Sequence, residues 1–385
     1  MDKSHQPLPY GKPEITEEDI AAVAEVMRSG MLTGGPQSGL FEQDFLQHIP
    51  APYAVAVSNG TSALHLSVKA LGLKPGEKVI VPTLTFAATA NCVLYEGGEV
   101  VLADIDPATW IMDIRAVEAL LKQDPGGYRG IIVVDFAGYP ADMPAFRRLA
   151  DEHGCWLLED ACHAPGAWAE GPDGQRYMCG DCRYADAAIF SFHPVKHITT
   201  GEGGMVTTKQ AETAEKIRLL RNHGMERRPE MLTRNPGNWH YEIHEMGYNY
   251  RLSDMLAALG RSQLRRFEQN LLKRRELAEI YLNRLNLPGV QLPPVVEGHG
   301  WHLFVVRTDE KKALYDHLLA QQIIPQTHYM PLHMQPYFQQ KGYQTGDFPH
   351  AEDYYYRCNS LPLFPQLTTG QLDRVVEQIE AFLKK

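Results

Sequence analysis

The stretch Ala54-Val55-Ala56-Val57-Ser58-Asn59-Gly60-Thr61-Ser62-Ala63-Leu64-His65-Leu66-Ser67-Val68-Lys69-Ala70-Leu71 changes its periodicity half-way along. Ala54–Val57 is a short apolar run of the kind that forms a buried strand, Ser58 to Thr61 read as a turn, and Leu64, Ser67, Val68 and Leu71 recur at helical spacing. The same alternation continues outward. Val79–Val81, Val100–Ala103, Ile131–Val134, Trp156–Leu158 and Ala187–Phe192 read as strands, with helical stretches such as Pro144 to Glu152 between several of them. Strands alternating with helices predict an α/β fold, with a mostly parallel central sheet covered by helices on both faces.

Upstream, Thr16 can N-cap a helix whose first turn holds Glu17, Glu18 and Asp19, Ile15 can staple to Ile20, and Gly30 can end it. Ile20, Val23, Ala24 and Met27 then share one face. Beyond residue 255 the texture changes. A long charged helix is expected from Arg261 to about Leu285, then a proline-broken stretch Leu287–Pro294, a strand Trp301–Arg307, a helix Lys311–Gln322 and a closing helix Gln371–Leu383 with Thr368 and Gln371 as a capping box. This predicts a large domain, 1–255, and a smaller C-terminal α+β domain, 256–385. The segment Gly224–Asn249 reads as a long loop, and long ordered loops are usually functional.

The chain has 385 residues, 44% hydrophobic and 22% charged, so disorder and coiled coil are excluded. No apolar run is long enough to span a membrane, and the polar start Met1–Pro9 is not a secretory leader, so a cytoplasmic location is expected. With 37 Lys plus Arg against 47 Asp plus Glu the net charge is −10, which disfavours nucleic acid. Arg261, Arg265, Arg266, Lys273, Arg274 and Arg275 read as a solvated helix face or a subunit contact. Cys179 and Cys182 form a lone C-x-x-C without a second ligand pair, so it reads as a turn and no metal is expected.

Three segments carry chemistry. Ser58-Asn59-Gly60-Thr61-Ser62, between strand and helix, can cradle a phosphate with free N–H groups, a glycine that lets the backbone approach, and hydroxyls. It is neither a P-loop nor a dinucleotide fingerprint, and taken alone it also suits an ordinary capped turn. Asp160, in Glu159-Asp160-Ala161-Cys162-His163, places a carboxylate at the carboxyl end of a strand, where open α/β sheets bind ligands. Phe190-Ser191-Phe192-His193-Pro194-Val195-Lys196-His197-Ile198-Thr199-Thr200 offers one lysine in a turn after a strand, flanked by the hydroxyls of Ser191, Thr199 and Thr200. With Phe86 of Thr83-Leu84-Thr85-Phe86, the order is phosphate cup, aromatic, acid, amine. Pyridoxal phosphate requires those four parts.

Over nearly its full length the chain resembles the fold-type I pyridoxal-phosphate aminotransferases that act on nucleotide-linked keto sugars. The resemblance is carried by Leu32-Thr33-Gly34-Gly35-Pro36, Ser58–Leu64, Glu159–Ala164, Phe190–Gly204 and Gly247-Tyr248-Asn249-Tyr250-Arg251-Leu252, in that order. Within the family, the Lys196 and Asp160 segments and His328-Tyr329-Met330-Pro331 are most similar to members that make 4-amino sugars for pseudaminic acid. The resemblance implies that Lys196 carries the cofactor's aldehyde, Asp160 pairs with its ring nitrogen, Phe86 stacks on the ring, Gly60, Thr61 and Ser191 hold the phosphate, and His163 lies beside the ring. Asn249 falls where the family reaches the neighbouring subunit's cofactor, which implies a homodimer with shared active sites. Tyr10, Leu32, Thr33, Gly34, Gly35, His328, Tyr329 and Pro331 match segments that line the sugar-nucleotide side.

The activity so implied is transfer of an amino group, from an amino acid donor such as L-glutamate, to the C4 keto group of a UDP-linked 4-keto-6-deoxy-N-acetylhexosamine. Some relatives have histidine at the lysine position and dehydrate sugars; Lys196 argues against that. Amination of another nucleotide-linked keto sugar, or nucleotide-sugar binding without catalysis, are the alternatives.

Overall fold

The computed structural model describes residues 7–384. Residues 1–6 of the polar start lie outside them. The central sheet has seven strands: β1 (Tyr53–Val57), β2 (Lys78–Pro82), β3 (Glu99–Ala103), β4 (Tyr128–Val134), β5 (Trp156–Asp160), β6 (Ala187–Ser191) and β7 (Gly204–Thr208). Their spatial order is β1-β7-β6-β5-β4-β2-β3. Every pairing is parallel except those of β7, which runs antiparallel to both neighbours.

Alternation along the strands divides the core. Val79, Val81, Ile132 and Leu158 face one layer, whereas Ile80, Ile131, Val133 and Leu157 face the other. Both faces are buried, which is why the strands are apolar runs rather than alternating ones. A third cluster, including Phe304, Val306, Leu314, Leu318, Val375 and Ile379, forms the core of the C-terminal part. There the strands Phe304–Arg307 and Cys358–Leu361 pair antiparallel. The N-terminal Leu8–Pro9 pairs in parallel with Ile323–Ile324, so the start of the chain lies against its late segment.

The first helix, Glu17–Ser29, has the expected capping box at Thr16 and ends at Gly30 with φ 75°. Its orientation differs from the expectation. Ile15, Ile20 and Met27 are exposed, whereas Asp19 and Val26 are buried. Asp19 takes hydrogen bonds from Arg266 and Gln263, and that anchor turns the Ile20–Met27 face outward. The single charged helix is instead two, Asp254–Leu264 and Phe267–Arg284. The break falls at Arg266, whose guanidinium reaches back to Glu14 and Asp19 while Phe267 is buried. Of the expected solvated face only part is solvated: Arg265 is exposed, but Arg261 binds Asp44 and Gln37, and Arg274 and Arg275 donate to backbone carbonyls. The strand expected from Trp301 begins only at Phe304, because Trp301 has φ 49°. The loop Gly224–Asn249 contains a short antiparallel ladder, Met225–Glu226 with Glu242–Ile243. Among the described residues no helix is long and apolar enough to cross a membrane.

Candidate active site

The carboxyl ends of β1, β2, β4, β5 and β6 open along one edge of the sheet, so the segments that follow them emerge together. After β1, Asn59 caps the helix Gly60–Ala70 by accepting from Ser62 N at 2.7 Å. The Ser62 hydroxyl is committed to Asn59 Oδ1 at 2.9 Å and faces Ser58 Oγ, so it belongs to the cap and not to the cup. Gly60 and Thr61 precede the first helical hydrogen bond, Ala63 N to Asn59 O, and their N–H groups remain for an anion. A side chain at Gly60 would come within 2.9 Å of Ser191 Cβ, which shows how closely the end of β6 approaches this helix.

After β6 the chain turns at His193, whose carbonyl accepts from Lys196 N at 2.9 Å. Thr199 and Thr200, both buried, bond backbone carbonyls of Phe192 and Glu202 and close the turn instead of lining the site. Lys196 is partly buried and has no ion pair among the described residues. Its Nζ lies 3.5 Å from His302 Nε2. Burial pushes its pKa below the ordinary lysine value, against the opposing pull of Cys162 and Asp160.

Asp160 ends β5 and is 5% exposed. Its Oδ2 accepts from Thr89 Oγ1 at 2.9 Å and its Oδ1 from Cys162 N at 3.2 Å, which fixes the carboxylate's orientation. His163 is buried, and burial holds its pKa well below the usual range, so the ring is neutral. Its Nδ1 accepts from Ala137 N at 3.2 Å. The proton of the neutral ring therefore sits on Nε2, which donates to Tyr329 Oη at 3.2 Å. That leaves the Tyr329 hydroxyl proton free to be donated elsewhere.

The structure thus brings Gly60 next to Ser191, and places Asp160, His163, Lys196, His328 and Tyr329 around one centre. Phe86 is 59% exposed, its ring 5.9 Å from that of Tyr329. Tyr10 packs edge-on to His328 at 4.9 Å. His328 is bound to Ser360 Oγ, and burial pushes its pKa to about 3. Pro331 opens a turn that docks on the loop after β2, with Leu332 N bonding Thr83 O and His333 Nδ1 2.7 Å from Thr83 Oγ1. Other candidates stand apart. Leu32, Thr33, Gly34 and Gly35 form a largely exposed turn held by Asp254, which donates to Leu32 O and accepts from Gly35 N and Gln37 N. Asn249 is exposed and bridges Asn222 through its backbone. No described hydrogen bond joins either segment to Lys196 or Asp160 within one chain.

Two residues escaped the sequence reading. Thr89 carries no motif and shows itself only by its bond to Asp160. His302 stands beside Lys196 and packs at a tilt of 41° on His163, with ring centroids 4.4 Å apart. A single histidine ahead of a strand gives no spacing to read.

Residues 13–380 match the model of the DegT/DnrJ/EryC1/StrS aminotransferase family. The spore coat polysaccharide biosynthesis protein SpsC of Bacillus subtilis strain 168 is 38% identical over 398 aligned residues, covering 100% of this chain and 99% of its own. Among solved structures, Helicobacter pylori PseC, an aminotransferase involved in the biosynthesis of pseudoaminic acid, superposes with a TM-score of 0.88 at 29% identity, covering 98% of this chain and 100% of its own. The PLP form of Spr1654 from Streptococcus pneumoniae gives 0.89 at 25% identity, covering 98% and 99%. The chain belongs to the DegT/DnrJ/EryC1/StrS aminotransferase family and is a pyridoxal-phosphate-dependent sugar aminotransferase. The residues present fit that cofactor: an amine without an ion pair, an oriented buried carboxylate, and a helix start whose glycine leaves no room for a side chain.

Proposed function

We propose that this aminotransferase moves an amino group from L-glutamate to the C4 keto group of a UDP-linked 4-keto-6-deoxy-N-acetylhexosamine, on a route to a pseudaminic acid-type sugar, as a cytoplasmic homodimer with shared active sites. The observation that carries the reading is the placement of Lys196 near Asp160 and beside His302, which packs on the His163 that bonds Tyr329. Its support in substrate class is the similarity to PseC.

When bound, pyridoxal phosphate supplies an aldehyde and an electron-accepting ring, able to spread the charge left when a proton leaves the carbon next to the amine. The Gly60 and Thr61 N–H groups and the Ser191 hydroxyl would hold its phosphate, and Asp160 would keep its ring nitrogen protonated. Phe86 would cover the ring, and Lys196 would hold the aldehyde. Its Nζ, with basicity lowered by burial, would be the group placed to take a proton from the donor's Cα and to deliver one at the sugar's C4. His163 keeps Tyr329 in place, and the free hydroxyl proton of Tyr329 is available as a donor on the sugar side. Tyr10, His328 and Pro331 line that side, with Leu32–Gly35 and Asn249 arriving from the second subunit or on substrate binding.

Incubation with the 4-keto-6-deoxy UDP-sugar and glutamate, followed by mass and NMR analysis, tests the assignment. A 4-amino UDP-sugar and 2-oxoglutarate are expected. A 3-amino product, or turnover only with another nucleotide, overturns the substrate assignment and leaves the enzyme class standing.

A further inference from the structure

Asp135 and Glu159 occupy adjacent strands behind the site. Asp135 follows β4, and Glu159 precedes Asp160 on β5, so the two carboxyls of β5 point to opposite faces of the sheet. Asp135 is fully buried and Glu159 is 3% exposed. Neither forms an ion pair among the described residues. Asp135 Oδ1 accepts from Ala141 N at 2.9 Å, but Asp135 Oδ2 and Glu159 Oε1 have no hydrogen-bond partner among the described residues. Oxygens of the two carboxyls lie within 4.8 Å of each other and of Cys179 Sγ.

We propose that Glu159 is protonated at neutral pH and donates a hydrogen bond to Asp135 Oδ2, forming one buried acid–carboxylate pair that positions the turn behind His163 and His302. Two ionised carboxylates this close and this dry would each lack a partner and repel each other. One shared proton gives both orphan oxygens a partner and leaves a single charge. Burial raises Asp135 to about 6, with the bond from Glu159 opposing the shift, whereas burial and the charge of Asp135 act in the same sense on Glu159 and raise it well above the usual range. The titratable groups that bear on the pair are Cys162, Cys179, Cys182, Tyr177, Asp160 and Asp181, and none is a cation that could hold a second negative charge.

The pair has a mechanical consequence. The backbone carbonyl of Asp135 accepts from Gly138 N at 3.1 Å and its Oδ1 holds Ala141 N, so Asp135 roots the turn Phe136–Gly138 and the residues that follow it. At the tip of the turn, Ala137 N donates to His163 Nδ1, and Ala137 O accepts from His302 N at 3.0 Å. Glu159 is thus a positioning residue for both histidines, acting through Asp135.

Infrared difference spectra of the holoenzyme, wild type minus Glu159→Gln at neutral pH, are expected to contain one protonated carboxyl C=O band that shifts in D2O. An ionised carboxylate band in its place overturns the proposal, as does a stoichiometric divalent metal found by elemental analysis and lost in Cys179→Ser. Unfolded Glu159 releases its proton near 4.5, whereas the folded pair retains one, so wild type loses stability relative to Glu159→Gln as pH rises. The Tm gap is expected to open by about 3–5 °C between about pH 5 and about pH 8, and parallel curves contradict it. Glu159→Ala, which removes the donor, should lower turnover by about tenfold, with Glu159→Gln recovering most of the loss; equal losses in the two variants count against a positioning role. The infrared and melting readouts are independent of the sugar substrate, so they stand or fall apart from the proposed reaction.

Discussion

Thr89 Oγ1 donates to Asp160 Oδ2 at 2.9 Å, and Thr85 Oγ1 lies 2.8 Å from Thr89 Oγ1. A two-hydroxyl chain rising from the loop after β2 therefore sets the direction in which a buried carboxylate presents its charge. Thr89→Val keeps the shape and removes the donor. Cofactor affinity is expected to fall about five- to tenfold, corresponding to about 1–1.4 kcal/mol for one lost hydrogen bond to a charged group, with the fold intact. Spectrophotometric titration of the apoenzyme with pyridoxal phosphate reads the change, and an unaltered affinity would show that Asp160 needs no such orientation.

Buried histidines set the acid limit of stability. His163, His197, His299, His302 and His328 are all buried with pKa values pushed down by desolvation, to about 3 for His299 and His328. Unfolded histidine takes up a proton near pH 6.5 and the folded ring does not. Their stabilising contribution is therefore complete above about pH 6.5 and is lost as pH falls towards the folded values. Tm should drop steeply below about pH 6. His299→Asn, whose Oδ1 can replace the acceptor that Trp301 N uses, should lessen the slope by about 1.4 kcal/mol per pH unit. An unchanged slope would mean that His299 is already protonated in the folded chain.

Arg274 is a buried cation held by three carbonyls, those of Trp301, His302 and Leu363, and among the described residues by no carboxylate. Desolvation alone pushes its pKa down to about 10. Arg274→Ala strands the three acceptors at once, and a loss of about 3 kcal/mol in unfolding free energy is expected, together with weaker placement of His302. Denaturant unfolding measures the first and cofactor affinity the second. Near-wild-type stability would show that water replaces the guanidinium.

The fold was legible because its strands are buried on both faces and separated by helical spacing, so Val79–Val81 or Ile131–Val134 could be placed without tertiary knowledge. The placement of Ser58–Ser62, Asp160 and Lys196 along one edge of the sheet was legible because each stands at or just after a strand end. Helix orientation was not. Ile20 and Met27 look like a core face, yet the buried Asp19–Arg266 pair, formed across 247 positions, decides which side turns inward. The break at Arg266 has the same origin. His302 and Thr89 were invisible for a related reason: their partners are distant in sequence, and neither residue type is rare enough to be noticed alone.

Asn249 and Lys196 offer a test of shared sites. If Asn249 serves the partner's cofactor, a hybrid of Lys196→Ala and Asn249→Ala subunits contains one site with both changes and one with neither. Mixing the two inactive variants under exchange should then restore about a quarter of wild-type activity, as random pairing of two-fold symmetric subunits requires. No recovery despite demonstrated subunit exchange would place Asn249 outside the neighbouring site.

The central claim is that Lys196 carries the cofactor. Borohydride reduction of the yellow holoenzyme, followed by peptide mass mapping, tests it most directly. A single pyridoxyl label on Lys196, absent from Lys196→Ala, is the predicted result; a label on another lysine, or bound cofactor with no reducible adduct, would contradict it.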